Sequence, residues 1–203
     1  MKPLDGKIEQ MLDNLKRYHI ILASNSPRRH ELLKGIGVEF EIKTLPNLDE
    51  SYPEALDATE VAKYLADKKS HAYLNLIQEN ELFITADTVV VVEGRVLGKP
   101  KNREEAVSML QLLSGKIHHV FTGVCILTKD KKVVFDSVTA VHFSCLTDKE
   151  INYYVDHYKP FDKAGAYGVQ EWIGYIAVER MEGSYFNVMG LPVQKLYGKL
   201  KSM

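Results

Sequence analysis

Apolar positions along this chain switch repeatedly between a two-residue and a 3.6-residue period, and the switches mark its elements. Residues 19–23 form a short apolar run that reads as a strand. Ser26, Pro27 and then Leu32, Leu33 and Ile36 follow. That order predicts a helix with Ser26 at its N-cap, Pro27 at its first position and Gly35 as its stop. Residues 38–43 alternate and read as a second strand. Asp57 and Glu60 have capping-box spacing, and the helix after them carries Val61, Leu65, Ala72 and Leu76 on one stripe. Residues 82–92 are almost continuously apolar, a buried strand that turns at Glu93-Gly94 into a short strand over 95–97. Asn102 and Glu105 cap a helix with Ala106, Met109, Leu110 and Leu113 inward, ended by Gly115. Residues 116–127 and 133–145 read as a long hairpin through Lys129-Asp130-Lys131. Thr147 and Glu150 cap a further helix with Ile151, Tyr154, Val155 and Tyr158 on its stripe. Short strands are expected over 172–178 and a closing helix after Pro192. Before all of these, Ile8, Met11, Leu12 and Leu15 have helical spacing.

Strands and helices alternate without strict strand–helix–strand regularity, and no internal repeat is present. The expected class is therefore α/β with a mixed sheet. The expected organisation is an N-terminal helical extension over residues 1–17 and a single domain over 18–203. At 203 residues the chain is long enough for one substantial core. A hydrophobic share of 45% and a charged share of 26% are ordinary for a globular domain. The formal charge of -1 gives no global attraction to nucleic acid, so an anion site has to be local. Cys125 and Cys145 lack metal-ligand spacing, fall in expected strands and read as inert packing. Without an apolar run of membrane-spanning length or an apolar signal core, the expectation is a cytoplasmic protein that engages no membrane.

Against this background a few polar groups are out of place. In Ser24-Asn25-Ser26-Pro27-Arg28-Arg29 a strand feeds the N-terminus of a helix, whose free N–H groups attract anions. Two arginines in that first turn oppose the helix dipole. Either they are solvated surface residues or an anion sits between them. Asp87 lies inside the apolar run Phe83–Val91, where a buried carboxylate needs a cation, a hydrogen-bonded bulge or a catalytic task. Alternation puts Thr88 on the opposite face unless the strand bulges. Gly98-Lys99-Pro100 is not a Walker A loop, because Glu93 stands where that loop needs glycine. Lys68 and Lys69 border the apolar stripe of their helix, as snorkelling lysines do. In the acidic loop Asn47-Leu48-Asp49-Glu50, either carboxylate can join Asp87 as an oxygen ligand or simply be solvated. Residues 162–170 are rich in glycine and small side chains, suited to a tight turn or to close ligand contact, with Gln170 able to read a base edge. The histidines form no metal motif, and His118 and His119 point to opposite faces of their strand.

Taken in order, these segments resemble the Maf family of nucleotide pyrophosphatases. The matching stretches run from Leu22-Ala23-Ser24-Asn25-Ser26-Pro27-Arg28-Arg29 through Ala86-Asp87-Thr88, Gly98-Lys99-Pro100, Leu113-Ser114-Gly115 and residues 162–170 to Gly183-Ser184-Tyr185 and Gly190-Leu191-Pro192. The resemblance implies an inosine triphosphatase-like fold, with a strongly curved mixed sheet flanked by helices and two lobes around a cleft. It implies hydrolysis of dTTP and UTP to the monophosphate and pyrophosphate with a divalent cation, Mg²⁺, Mn²⁺ or Co²⁺. By the same resemblance Asp87 is the catalytic carboxylate and, with Glu50, a metal ligand. Ser24, Arg29, Lys69 and Lys99 contact the nucleoside triphosphate, and Arg28, Thr88 and Gln170 set specificity. A homodimer is implied by the resemblance alone. Two other readings stand beside it: a non-catalytic nucleotide-binding regulator of cell division, and a pyrophosphatase for damaged purine nucleotides.

Overall fold

The computed structural model describes residues 9–203. The apolar run at 82–92 becomes the central strand β3 (Glu81–Val92), buried along its whole length except at Asp87 and Thr88. Its neighbours are β1 (His19–Leu22), β2 (Glu41–Ile42), β4 (Arg95–Leu97), β5 (Ile117–Leu127), β6 (Lys132–Phe143) and β7 (Val178–Glu182). Together they form one seven-stranded sheet in the order β2-β1-β3-β5-β6-β7, with β4 paired to β3 off this path. β1 pairs parallel with β2 and β3, and the remaining pairings are antiparallel. The sheet is mixed, as expected.

The flanking helices are α1 (Pro27–Gly35), α2 (Val61–His71), α3 (Arg103–Leu113), α4 (Asp148–Tyr158), α5 (Trp172–Ala177), α6 (Tyr185–Met189) and α7 (Val193–Leu200). α3 and α4 begin where their local chemistry says they should. The Asn102 side chain accepts from the Glu105 N–H, and Thr147 with Glu150 forms a complete capping box. Ala106, Met109, Leu110 and Leu113 are buried, as are Ile151, Tyr154 and Val155.

β3 explains why the core is split. Leu82, Ile84 and Ala86 pack on one face of its first half with Leu32, Leu33, Leu196 and Leu200. Val90 and Val92, on the same face, join a separate cluster with Leu110, Ile151 and Ile173. Thr88 falls between the two. On the opposite face Phe83 belongs to one cluster and Val89 with Val91 to another, and Thr85 and Asp87 fall between. The hydrogen-bonding edge is split too. On the side away from β5, β1 pairs with residues 81–84 and β4 with residues 90–92, so residues 85–89 meet no strand there. A cleft between two apolar bodies opens at this gap.

Several expectations are corrected. The strand at 38–43 shrinks to Glu41–Ile42 at the sheet edge, paired only with β1, and Ile42 is exposed. Asp57 and Glu60 do not form a capping box. The Asp57 carboxylate accepts from the N–H and hydroxyl of Thr59, the nearer donors, and α2 starts at Val61. α2 ends at His71, leaving Leu76 exposed, and Tyr158 is likewise exposed at the end of α4. Residues 172–177 are helix rather than strand, because Ile173 and Ala177, four apart, are the fully buried pair. Cys145 lies beyond the end of β6 and is exposed, while Cys125 is buried. Of the expected N-terminal helix, residues 1–8 lie outside the described residues. Glu9–Leu15 is a 3-10 segment kinked at Leu12. Leu12 and Leu15 pack into the core beside Leu200, and the Asn14 amide donates to the carbonyls of Leu200 and Met203. No described helix is long and apolar enough to cross a membrane.

Candidate active site

The gap in β3 opens into a cleft of about 490 Å³ whose lining includes Ser24, Arg28, Arg29, Glu50, Lys69, Asp87, Thr88, Lys99 and Gln170. Every residue to which the resemblance gives a role thus reaches one space, whereas Asp49 and Lys68, singled out from the sequence alone, do not. Asp87 and Thr88 both line it although they are consecutive in an unbulged strand, paired in register with Gly123 and Thr122. The missing neighbour strand, rather than a bulge, gives both faces access.

Asp87 is held from α2. Lys69 Nζ lies 2.5 Å from Asp87 Oδ1 and 2.8 Å from Glu50 Oε1, so one ammonium joins both carboxylates. α2 can lie this close because β5 carries Gly123 opposite Asp87. A Cβ there would come within 2.2 Å of the Ala62 carbonyl oxygen. Burial raises the Glu50 pKa, but the hydrogen bond and charge of Lys69, aided by Lys99 and Arg29, outweigh it and leave Glu50 below the usual range. Tyr73, in the turn that follows α2, accepts from the Leu45 N–H and ties the 44–50 loop to the end of that helix. Asp49 points elsewhere and pairs with Lys68. Lys99 lines the cleft without a hydrogen bond or ion pair among the described residues.

The α1 end differs in detail from its expected form. Ser26 is the N-cap residue, yet no side chain caps the first turn, which leaves those N–H groups available to an anion. The two arginines have protein partners. Arg29 donates from Nε to the Gly190 carbonyl at 2.9 Å, from Nη1 to the Ala86 carbonyl at 3.0 Å and Ser24 Oγ at 3.3 Å, and from Nη2 to Thr88 Oγ1 at 3.1 Å. Burial lowers its pKa and the charge of Asp87 opposes that shift. Arg28 donates to Asp162 Oδ2 at 2.7 Å across the cleft. Protein acceptors therefore relieve the conflict with the helix dipole, and the anion-binding capacity rests on the open N–H groups and the lysines.

Val90, Val120, Tyr167 and Met189 form an apolar part of the lining. Gln170 also lines the cleft, with its Oε1 buried and unpaired among the described residues. The profile of the family described as Maf-like protein matches residues 19–203. The chain belongs to the Maf family. The dTTP/UTP pyrophosphatase of Bacteroides thetaiotaomicron is 56% identical over 193 residues, covering 95% of this chain and 100% of that one. The dTTP/UTP pyrophosphatase of Parabacteroides distasonis is 58% identical over 191 residues, covering 94% and 99%. Among solved structures, a HAM1 protein from Coxiella burnetii superposes with a TM-score of 0.47 at 14% identity, covering 92% of this chain and 100% of that chain.

Sequence reasoning passed over several residues of this Maf cleft. Tyr73 lies in the turn after α2, beyond the reach of the helical pattern that carries Lys69. Tyr167 and Lys163 stood inside the small-residue segment but carried no periodic signal. Met189 belongs to a helix of five residues, too short to show a period. Among the described residues, no cluster of three or more His, Cys, Asp or Glu side chains could hold a metal ion by itself. The pair Asp87 and Glu50 is nevertheless a hard oxygen donor set, already gathered around a cation, the Lys69 ammonium. Mg²⁺ commonly takes one or two carboxylates and completes its shell with water and substrate phosphate, so the residues present fit such an ion.

Proposed function

We propose that this chain hydrolyses dTTP and UTP to the corresponding monophosphate and pyrophosphate. The observation that carries the reading is the joint placement of Asp87, Glu50 and Lys69 at the break in β3, in the cleft that also holds Lys99 and the open N-terminus of α1. Attack of water at the α-phosphorus expels pyrophosphate, and catalysis then consists of aligning the water and stabilising charge on the departing oxygens. Asp87 is the base that orients and deprotonates the water. Lys99 and the first-turn N–H groups of α1 receive the polyphosphate. Lys69 keeps Asp87 and Glu50 side by side, and Arg29 fixes Ser24, the Ala86 carbonyl and Thr88 around them. Asp87 and Glu50 would hold a divalent cation, Mg²⁺, Mn²⁺ or Co²⁺, which when bound supplies positive charge against the developing charge of the leaving group.

Base choice follows from Gln170. Its side chain lines the cleft, and its amide, with both acceptor and donor capacity, suits an edge such as that of uracil or thymine, which carries an N3–H beside carbonyl oxygens. The apolar lining tolerates the 5-methyl group that distinguishes the two bases. Support for dTTP and UTP comes also from the two relatives, which match this chain over nearly their whole length.

The test is pyrophosphate release by purified protein with Mg²⁺ and a panel of dTTP, UTP, CTP, 7-methyl-GTP and ITP. The expected result is turnover of dTTP and UTP about tenfold or more above the others. A modified purine in first place would overturn the substrate assignment. Binding of dTTP without pyrophosphate release would leave the non-catalytic regulator as the better reading.

A further inference from the structure

We propose that Lys163 is a positioning residue for base recognition, holding the wall of the cleft that carries Gln170; this rests on the pyrophosphatase reading above. Lys163 is the one buried lysine among the described residues, at 7% exposure. A buried ammonium is unfavourable unless it is paired. Its Nζ lies 2.7 Å from Asp162 Oδ1 and 3.0 Å from Glu171 Oε1. Each carboxylate then passes the constraint on. Asp162 accepts from Arg28 on α1 through its second oxygen. Glu171 accepts from the Tyr154 hydroxyl through Oε2, and the Tyr154 oxygen accepts from the Gly168 N–H at 3.0 Å. Arg28, Asp162, Lys163 and Glu171 thus alternate in sign from one side of the cleft to the other.

The backbone between them has no slack. A Cβ on Gly168 would lie 2.9 Å from Glu171 Cδ and 3.0 Å from Lys163 Cε, so the chain rests directly on the ion pair. Gly165 donates to the Gly98 carbonyl at 3.0 Å, which ties the same turn to the residue before Lys99. The Glu171 N–H donates to the Gly168 carbonyl, closing a turn around Val169 and Gln170. The Gln170 side chain, which lines the cleft, therefore has a fixed position only while Lys163 neutralises its two partners. Without the ammonium, the Asp162 and Glu171 carboxylates repel each other across the base of the turn.

The experiment compares wild type, Lys163→Met and Lys163→Met/Glu171→Gln, following pyrophosphate release from dTTP, UTP and dGTP. For Lys163→Met the expected result is a KM for dTTP and UTP raised about tenfold, kcat within about threefold, and preference over dGTP reduced about tenfold. The double variant removes the stranded carboxylate and is expected to return KM to within about threefold of wild type. A merely structural lysine would lower the folded fraction and leave KM and preference unchanged, and that result overturns the proposal. So does a double variant no better than the single one. Should Lys163→Met not fold, Glu171→Gln alone is expected to raise KM about threefold, and an unchanged KM overturns the proposal. If wild type releases no pyrophosphate from dTTP or UTP, the pyrophosphatase reading fails by itself. Lys163 is then decided by amide hydrogen exchange of residues 162–171 in the nucleotide-free protein. Faster exchange in Lys163→Met supports the positioning role and unchanged exchange overturns it.

Discussion

On one side of the cleft, Lys69 is shared between Asp87 and Glu50, Lys99 has no ion-pair partner among the described residues, and the first turn of α1 is uncapped. On the other side, Asp162, Lys163 and Glu171 pair with one another, Arg28 reaches across from α1 to complete the neutralisation, and Gln170 lines the cleft beside them. The first arrangement leaves charge and N–H capacity to spend on a polyanion. The second cancels its own charge and presents shape, with the Gln170 amide in its lining. A nucleoside triphosphate has matching halves, a tail that is nearly all charge and a base recognised by edge and surface. The comparison therefore predicts that changes on the first side act on kcat and changes on the second act on KM and preference.

The strongest test of that division is Asp87→Asn. The amide keeps the size of the carboxylate and can still accept from Lys69, so the fold should hold. Loss of the base should lower kcat about 10²- to 10⁴-fold, read by pyrophosphate release on samples with matched thermal midpoints. Wild-type turnover by Asp87→Asn would remove the hydrolytic role from this side altogether.

The next effect is on stability and concerns how α2 is delivered to the site. Gly123 faces Asp87 across the β3–β5 pairing, and a Cβ there would lie 2.2 Å from the Ala62 carbonyl oxygen and 2.5 Å from Lys63 Cα. Both are backbone atoms of α2 that cannot rotate away. Gly123→Ala should cost about 3 kcal/mol, towards the upper end for overpacking, measured by the urea midpoint. It should also lift Lys69 away from Asp87, so that kcat of the folded protein falls. An unchanged midpoint would show that α2 does not depend on this contact.

How far these elements could be read in advance depended on how local their causes are. Asn102, Thr147 and Glu150 act on residues three positions away, and their helices begin as the sequence says. β3 is legible because residues 82–92 are almost continuously apolar, a run long enough to stand out. α5 was misread as strand because its six residues span fewer than two turns and the buried spacing of Ile173 and Ala177 is its only mark. The site was legible mainly through family resemblance. Spacing could single out Asp87 but could not say that Thr88 would share its cleft, since that depends on where β1 ends and β4 begins. Nor could it pair Arg28 with Asp162, 134 residues away, or show that Lys163 is buried.

A smaller effect, again on the charged side, is expected for Glu50→Gln. The amide can still accept a hydrogen bond from Lys69, so the gathering of side chains persists while one anionic oxygen donor is lost. If Asp87 and Glu50 together hold the divalent ion, the Mg²⁺ concentration for half-maximal activity should rise about tenfold, with kcat at saturating Mg²⁺ within a few-fold of wild type. An unchanged Mg²⁺ titration would leave Glu50 as a partner of Lys69 only.

The smallest expected effect lies behind the neutral side. His118 is fully buried on β5, with Nε2 2.7 Å from the Tyr167 hydroxyl and Nδ1 unpaired among the described residues. Tyr167 in turn belongs to the apolar part of the cleft lining. Burial, with smaller contributions from His119 and His142, lowers the His118 pKa to about 3, against 6.5 for an ordinary histidine. Between those values the unfolded chain binds a proton that the folded chain refuses. Stability should therefore fall as pH drops below about 6.5, by on the order of 1 kcal/mol per pH unit from this residue. His118→Gln can keep the hydrogen bond to Tyr167 without titrating. Urea midpoints from pH 7.5 to pH 5.0 should decline less steeply in this variant than in wild type, with KM for dTTP at pH 7.5 little changed. Parallel pH profiles would mean that His118 is protonated in the folded protein, and a charge would then sit directly behind the wall described here as neutral.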